Sequence, residues 1–180
     1  CDKEGINVWD LIQLANRHPR VNILQPGAGV GGHCIAVDPW FVVARDEENS
    51  RLIKTAREIN DYKTNWVIQK IKSCSVDVPN QKGVKPKIVC LGLAFKPDID
   101  DLRESPALEI ASSLVAQGYD VIAVEPNIET HQIVKLEELD NVFNEDAVLA
   151  ILVKHKEFLD KSVQDKLTSL GALDFCGALV

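Results

Sequence analysis

Between Asn49 and Asp77 apolar residues recur every three or four positions, at Leu52, Ala56, Ile59, Trp66, Ile71 and Cys74, for roughly seven helical turns. A helix of that length carries more apolar stripe than a small domain buries. Two uses fit it about equally, a core helix within one chain or packing of part of the stripe against a second copy of the chain. Pro79 to Pro86, PNQKGVKP, is polar and holds two prolines and a glycine, so it reads as a boundary between residues 1–82 and 83–180. Beyond it the period changes. Ile88–Leu93 is a buried-strand run, and Ser105 to Gln117 is a helix with Ser105 as N-cap, Pro106 in its first turn and Gly118 as its stop. Val121–Val124 and Ala147–Val153 are further strands. Strand, helix and strand in this order predict an α/β fold with a parallel sheet and right-handed crossovers.

Ahead of the long stripe, Ile6, Trp9, Ile12 and Leu14 are spaced for a short helix that Asn7 caps and that ends before Pro19. Val21–Leu24 is a brief extended entry to the densest feature of the chain, QPGAGVGGHCIAVDPW, from Gln25 to Trp40. Gly27, Gly29, Gly31 and Gly32 remove side chains where backbone turns sharply or approaches a neighbour closely. Gly27, Gly29 and Gly32 spell GxGxxG, yet the context is wrong for a dinucleotide fingerprint. That motif needs a strand before it and a helix directly after it, and HCIAVDPW is β-branched and closes on Pro39, which no helix interior tolerates. Phe41–Ala44 either starts a helix or finishes a turn.

Directly after the glycines come Cys34 and Asp38. A cysteine thiol is only a few per cent thiolate at pH 7, so nucleophilic use needs a positive neighbour, a dipole or a base. His33 adjoins it, and Asp38 offers a base or a water-orienting group. A free cysteine is ordinarily a buried small hydrophobe, but the glycine loop and the carboxylate favour a thiol that meets a ligand.

GVGGHCIAVDP resembles the active-site loop of the UDP-glucose/GDP-mannose dehydrogenase family, whose pattern GxGGxCxxxD is met by Gly29, Gly31, Gly32, Cys34 and Asp38. A second signature of that family, close to GxxFKxxxDDxRxSP, stands as GLAFKPDIDDLRESP from Gly92 to Pro106. Other members commonly carry Ser and Lys at the positions of His33 and Val37, which favours the acetamido-sugar branch. The resemblance covers nearly all of the chain. It implies a helical central segment used for dimerisation, followed by a Rossmann-like parallel-sheet domain that binds UDP. It further implies NAD as cofactor, a UDP-N-acetylhexosamine as substrate, and oxidation of the sugar's primary alcohol to a carboxylate through a Cys34 thiohemiacetal and thioester, with Asp38 as base or water-positioner. A UDP-N-acetylglucosamine or UDP-glucose enzyme is the alternative within the family. Gln25, Pro26, Gly27, Gly29, Gly31, Phe95 and Lys96 would contact the substrate, and Arg103 with Cys34 would face the NAD. A basic residue from a neighbouring subunit is implied near Arg17, His18 and Arg20, hence a homodimer.

A net charge of −7 argues against a nucleic-acid partner, which needs a basic face. A nucleotide sugar would therefore be met by a local cluster, for which Arg17, His18, Arg20, Lys96 and Arg103 are the candidates. No apolar run approaches a membrane span and no signal peptide opens the chain, so a cytoplasmic protein is expected. Five cysteines without a CxxC pairing indicate neither a disulfide framework nor a metal site. The chain lacks methionine and opens inside what reads as a helix, so it is expected to be a fragment whose NAD fold, with the family's lysine and asparagine, lies upstream. Alone it would then act as a UDP-sugar-binding or assembly module. A different thiol enzyme, such as an acyltransferase or cysteine hydrolase, finds no supporting His-Asn or His-Asp arrangement.

Overall fold

In the computed structural model, which describes residues 1–77, 86–143 and 146–180, the elements run α1 (Val8–Ala15), α2 (Asp38–Arg45), α3 (Arg51–Asp77), β1 (Lys87–Leu91), α4 (Pro106–Ala116), β2 (Val121–Val124), β3 (Lys135–Leu136), β4 (Ala147–Ile151), α5 (Lys161–Ser169) and β5 (Leu173–Asp174), with short 3₁₀ turns between. The strands form one parallel sheet in the order β3-β2-β1-β4-β5. The chain winds outward from β1 to β3, then returns to the far side of β1 for β4 and β5, which creates a switch point between β1 and β4. Leu91 is paired with both Val124 and Ile151, so the carboxyl ends of β1, β2 and β4 stand level.

The apolar runs KIVCL, VIAV and AVLAI suit strands covered on both faces. On one face α4 and the second half of α3 bury Val67, Ile68, Ile71, Ile110, Ala111 and Leu114 against Ile88 and Cys90. On the other, Phe158 of the 3₁₀ turn before α5 and Leu167 of α5 cover Val89, Leu91, Leu149 and Ile151.

The long stripe therefore divides. Val67 and Ile71 are fully buried by the chain's own sheet, whereas Leu52 and Ile59 stay 83% and 62% exposed. Trp66 belongs to the buried half: its ring meets Phe175 edge-on at 6.0 Å. The sheet domain thus supplies part of the cover for the stripe, with Trp66 partly buried against it.

Asn7 caps α1 as expected, its side chain accepting from the Trp9 and Asp10 amides. Ser105 caps α4 and accepts from the Leu108 amide. Pro39 needs a correction, since it sits in the first turn of α2 rather than excluding a helix there; in that turn its missing N–H is one the helix would leave unpaired anyway. The edge strands β3 and β5, two residues each, and α5, whose one buried residue is Leu167, were not anticipated. The boundary expected between residues 82 and 83, with the linker from Pro79 to Pro86 except Pro86 itself, lies outside the described residues.

Candidate functional site

The segment from Ile23 to Gly32 has no strand to hold it, and side chains from two helices do so instead. Asn16 makes a two-way bond with the Ile23 backbone, at 2.7 Å and 2.9 Å. Trp9 Nε1 donates to the Pro26 carbonyl. Asn60 of α3 accepts from the Val30 amide at 2.7 Å and donates back to its carbonyl at 3.2 Å. The sequence reading missed these clamps, since an Asn among exposed helix residues carries no signal of a partner thirty positions away.

The loop then docks on the second signature. A Cβ at Gly31 would lie 2.1 Å from the Glu104 carbonyl, and one at Gly32 (φ +93°) would lie 2.9 Å from the Phe95 ring. The Gly32 amide donates to the Arg103 carbonyl at 3.2 Å. These glycines are the flat surface on which two distant stretches meet. The second stretch is itself tied down: the Phe95 amide donates to the Asp101 carbonyl, and Ser105 Oγ donates to the Leu93 carbonyl at 2.6 Å.

Their meeting forms a cleft of about 270 Å³ at the carboxyl end of β1. Gln25, Pro26, Gly27 and Gly29 line one wall and Phe95 with Lys96 the other, so six of the expected substrate contacts come together. Gly31 does not line it, being packed against Glu104 and Pro106. Arg17, His18 and Arg20 lie on the exposed turn after α1, away from the lining. Lys154, just beyond β4, joins the lining and was not anticipated; its Nζ donates to the Gly177 carbonyl.

Cys34 sits on the next turn and Asp38 at the start of α2, both exposed, with the Asp38 amide donating to the Cys34 carbonyl at 2.8 Å. Arg103 is within electrostatic reach of Cys34 and is forked onto Asp101. That guanidinium holds the Asp101 carboxyl down at about 2. Burial pushes the Cys90 thiol up to about 12 and the Cys176 thiol higher still, so neither is a nucleophile at neutral pH.

Behind the cleft lies a buried polar node. Glu125 follows β2, and its Oε2 accepts from the Leu93 amide at 2.7 Å, the Ala94 amide at 3.0 Å and His155 Nε2 at 3.0 Å. Burial raises this carboxyl, but the bond from His155 and the backbone amides outweigh it and bring it to about 2. Asp98, His155 and Glu157 bring ligand-type atoms within 4.8 Å of one another, yet His155 Nδ1 already accepts from the Asp98 amide.

Two sequence profiles match this chain. The UDP binding domain of the UDP-glucose/GDP-mannose dehydrogenase family matches residues 89–179, and the central domain of the same family matches residues 1–62. The chain belongs to the UDP-glucose/GDP-mannose dehydrogenase family. Within that family it is 55% identical over 177 residues to a UDP-N-acetyl-D-mannosamine dehydrogenase of Campylobacter jejuni, covering 94% of this chain and 42% of the relative. It is also 55% identical over 170 residues to the enzyme of that name from Escherichia coli, covering 88% and 40%. A solved UDP-D-ManNAc dehydrogenase from Pyrococcus horikoshii superposes with a TM-score of 0.81 at 30% identity, over 99% of this chain and 42% of that one. The UDP-N-acetyl-mannosamine dehydrogenase of S. aureus gives 0.73 at 41% identity, over 89% and 37%. The chain thus spans about two fifths of the length of these family members.

Proposed function

We propose that this chain is the substrate-binding and thiol-bearing part of an NAD-dependent dehydrogenase that oxidises UDP-N-acetylmannosamine to its uronate. The observation that carries the reading is the docking of the glycine loop on the 92–106 segment, which puts Gln25–Gly29 opposite Phe95 and Lys96 and leaves Cys34 on the adjoining turn. Lys96 offers a charge-assisted contact to a phosphate and Phe95 an apolar ring. The similarity to the mannosamine enzymes supports the choice of sugar.

Alcohol to carboxylate is a four-electron oxidation, so two hydrides leave the same carbon. NAD, when bound, supplies the acceptor for both. Among the described residues, those that fit NAD lie at one rim, where exposed Arg103 stands near Cys34; the strand-end amides of Leu93 and Ala94, where a dinucleotide fold would take phosphate, are filled by Glu125. Most NAD contacts therefore fall to residues outside this chain. Cys34 Sγ, as thiolate, adds to the aldehyde carbon to give a thiohemiacetal, and loss of hydride from that carbon leaves a thioester. Asp38 orients or deprotonates the water that attacks it, and the carbon–sulfur bond breaks to release carboxylate and thiol. A homodimer through the open half of α3 would bring Arg17, His18 and Arg20 to a neighbouring site.

Titration calorimetry with UDP tests the reading. The chain binds UDP, and Lys96→Ala weakens it about ten- to a hundredfold, the worth of a charge-assisted contact; unchanged affinity returns Lys96 to the surface and overturns the assignment of the cleft. With UDP-sugar and NAD this chain alone gives no absorbance rise at 340 nm, and full turnover would overturn the division of the site.

A further inference from the structure

Open α/β sheets present backbone N–H groups to ligands where the chain leaves a strand at the switch point. Here those groups, the amides of Leu93 and Ala94 after β1, are taken by the protein's own carboxylate. Glu125 has a side chain shielded fully from solvent, and burying a carboxylate is costly unless its oxygens are matched. They are: Oε2 receives the two amides and the His155 ring, and Oε1 receives the Asn127 amide at 3.1 Å and Asn127 Nδ2 at 3.2 Å. His155 is equally buried, and its Nδ1 faces two donors, the Asp98 amide at 3.0 Å and Asn127 Nδ2 at 3.3 Å. That nitrogen is consequently the acceptor, and Nε2 carries the hydrogen that goes to Glu125.

The node grips a single short segment at both ends. Glu125 holds residues 93 and 94, and His155 holds residue 98, whose φ of 60° is a left-handed backbone that needs such support. Asp98 returns the grip by accepting from the Lys156 amide at 3.0 Å. Between the two anchors lie Phe95 and Lys96, which line the cleft. We propose that Glu125 and His155 are positioning residues for nucleotide-diphosphate binding: they take over the strand-end amides and preset the 93–98 segment, so that the phosphate is met by the Lys96 side chain and not by backbone N–H groups. The inference rests on the assignment of Lys96 to the substrate's phosphates made above.

A double-mutant cycle on UDP affinity tests it, read by titration calorimetry on the protein, Glu125→Gln, Lys96→Ala and the pair. Glu125→Gln puts an amide nitrogen against donors and weakens UDP about tenfold, and the pair binds no more weakly than Lys96→Ala alone, because the loss runs through Lys96. Additive losses, or no loss in Glu125→Gln while Lys96→Ala shows one, overturn this inference and leave the cleft assignment standing. No loss in Lys96→Ala overturns both. Where Glu125→Gln does not fold, His155→Gln enters the same cycle: it keeps the donor to Glu125 and deletes the acceptor that the Asp98 amide and Asn127 Nδ2 share. It weakens UDP several-fold in the parent and not in the Lys96→Ala background; an equal loss in both backgrounds, or none in either, overturns the positioning role.

Discussion

Gly31 and Gly27 are two residues of one motif with opposite consequences for an added methyl. At Gly31 a Cβ would overlap the Glu104 carbonyl at 2.1 Å, while at Gly27 it meets nothing within 4 Å. Gly31→Ala therefore separates the loop from the 92–106 segment and costs about 2 kcal/mol or more, with loss of UDP binding. Gly27→Ala stays within about 0.5 kcal/mol of the parent, and thermal melts of the two variants check the contrast. Cys34 is exposed and outside the cleft lining, so Cys34→Ser leaves UDP affinity unchanged while abolishing thioester chemistry in the complete enzyme. Loss of binding in that variant would make Cys34 a packing residue.

Of the elements, α3 is the one with two environments. Its second half is core, and Trp66→Ala should cost about 2–3 kcal/mol through the lost Phe175 contact. Its first half leaves Leu52, Ile59 and Tyr62 open to solvent, and α2 adds Phe41, 70% exposed. Exposed apolar faces of this kind mark association surfaces. If the first half is the dimer face, Ile59→Glu lowers the sedimentation coefficient to that of a monomer without moving the melting temperature. A monomer in the parent would remove the dimer. At the head of α4, Ser105 both caps the helix and ties it to Leu93, so Ser105→Ala costs about 1–2 kcal/mol, readable by chemical denaturation.

For the molecule as a whole the Glu125 node joins three strand ends, and it gives acid stability a definite sign. The folded-state carboxyl near 2 lies below its ordinary 4.5, so the unfolded chain binds the proton first as pH drops. The stabilisation is complete above pH 4.5 and is lost as pH falls from there toward 2. Melting temperatures of the protein should drop across that window, and the Glu125→Gln curve should be flatter there. An equal slope in both would assign the acid transition to other carboxylates.

Local sequence determined what depends on local physics. Asn7 and Ser105 announce helix starts because a short polar side chain satisfies amides two or three residues on, and KIVCL and VIAV announce buried parallel strands because both faces are apolar. The glycine loop and the 92–106 segment announced a site through their composition and their likeness to a family. Only the tertiary structure decided that these two stretches touch, that Asn60 and Asn16 clamp the loop, that Trp66 belongs to the chain's own core, and that Glu125 and His155 stand behind Lys96. Apart from the Asn16 clamp, seven residues from its partner, each of those is a contact between residues distant in sequence, and a side chain's spacing along the chain says nothing about a partner that the fold brings to it.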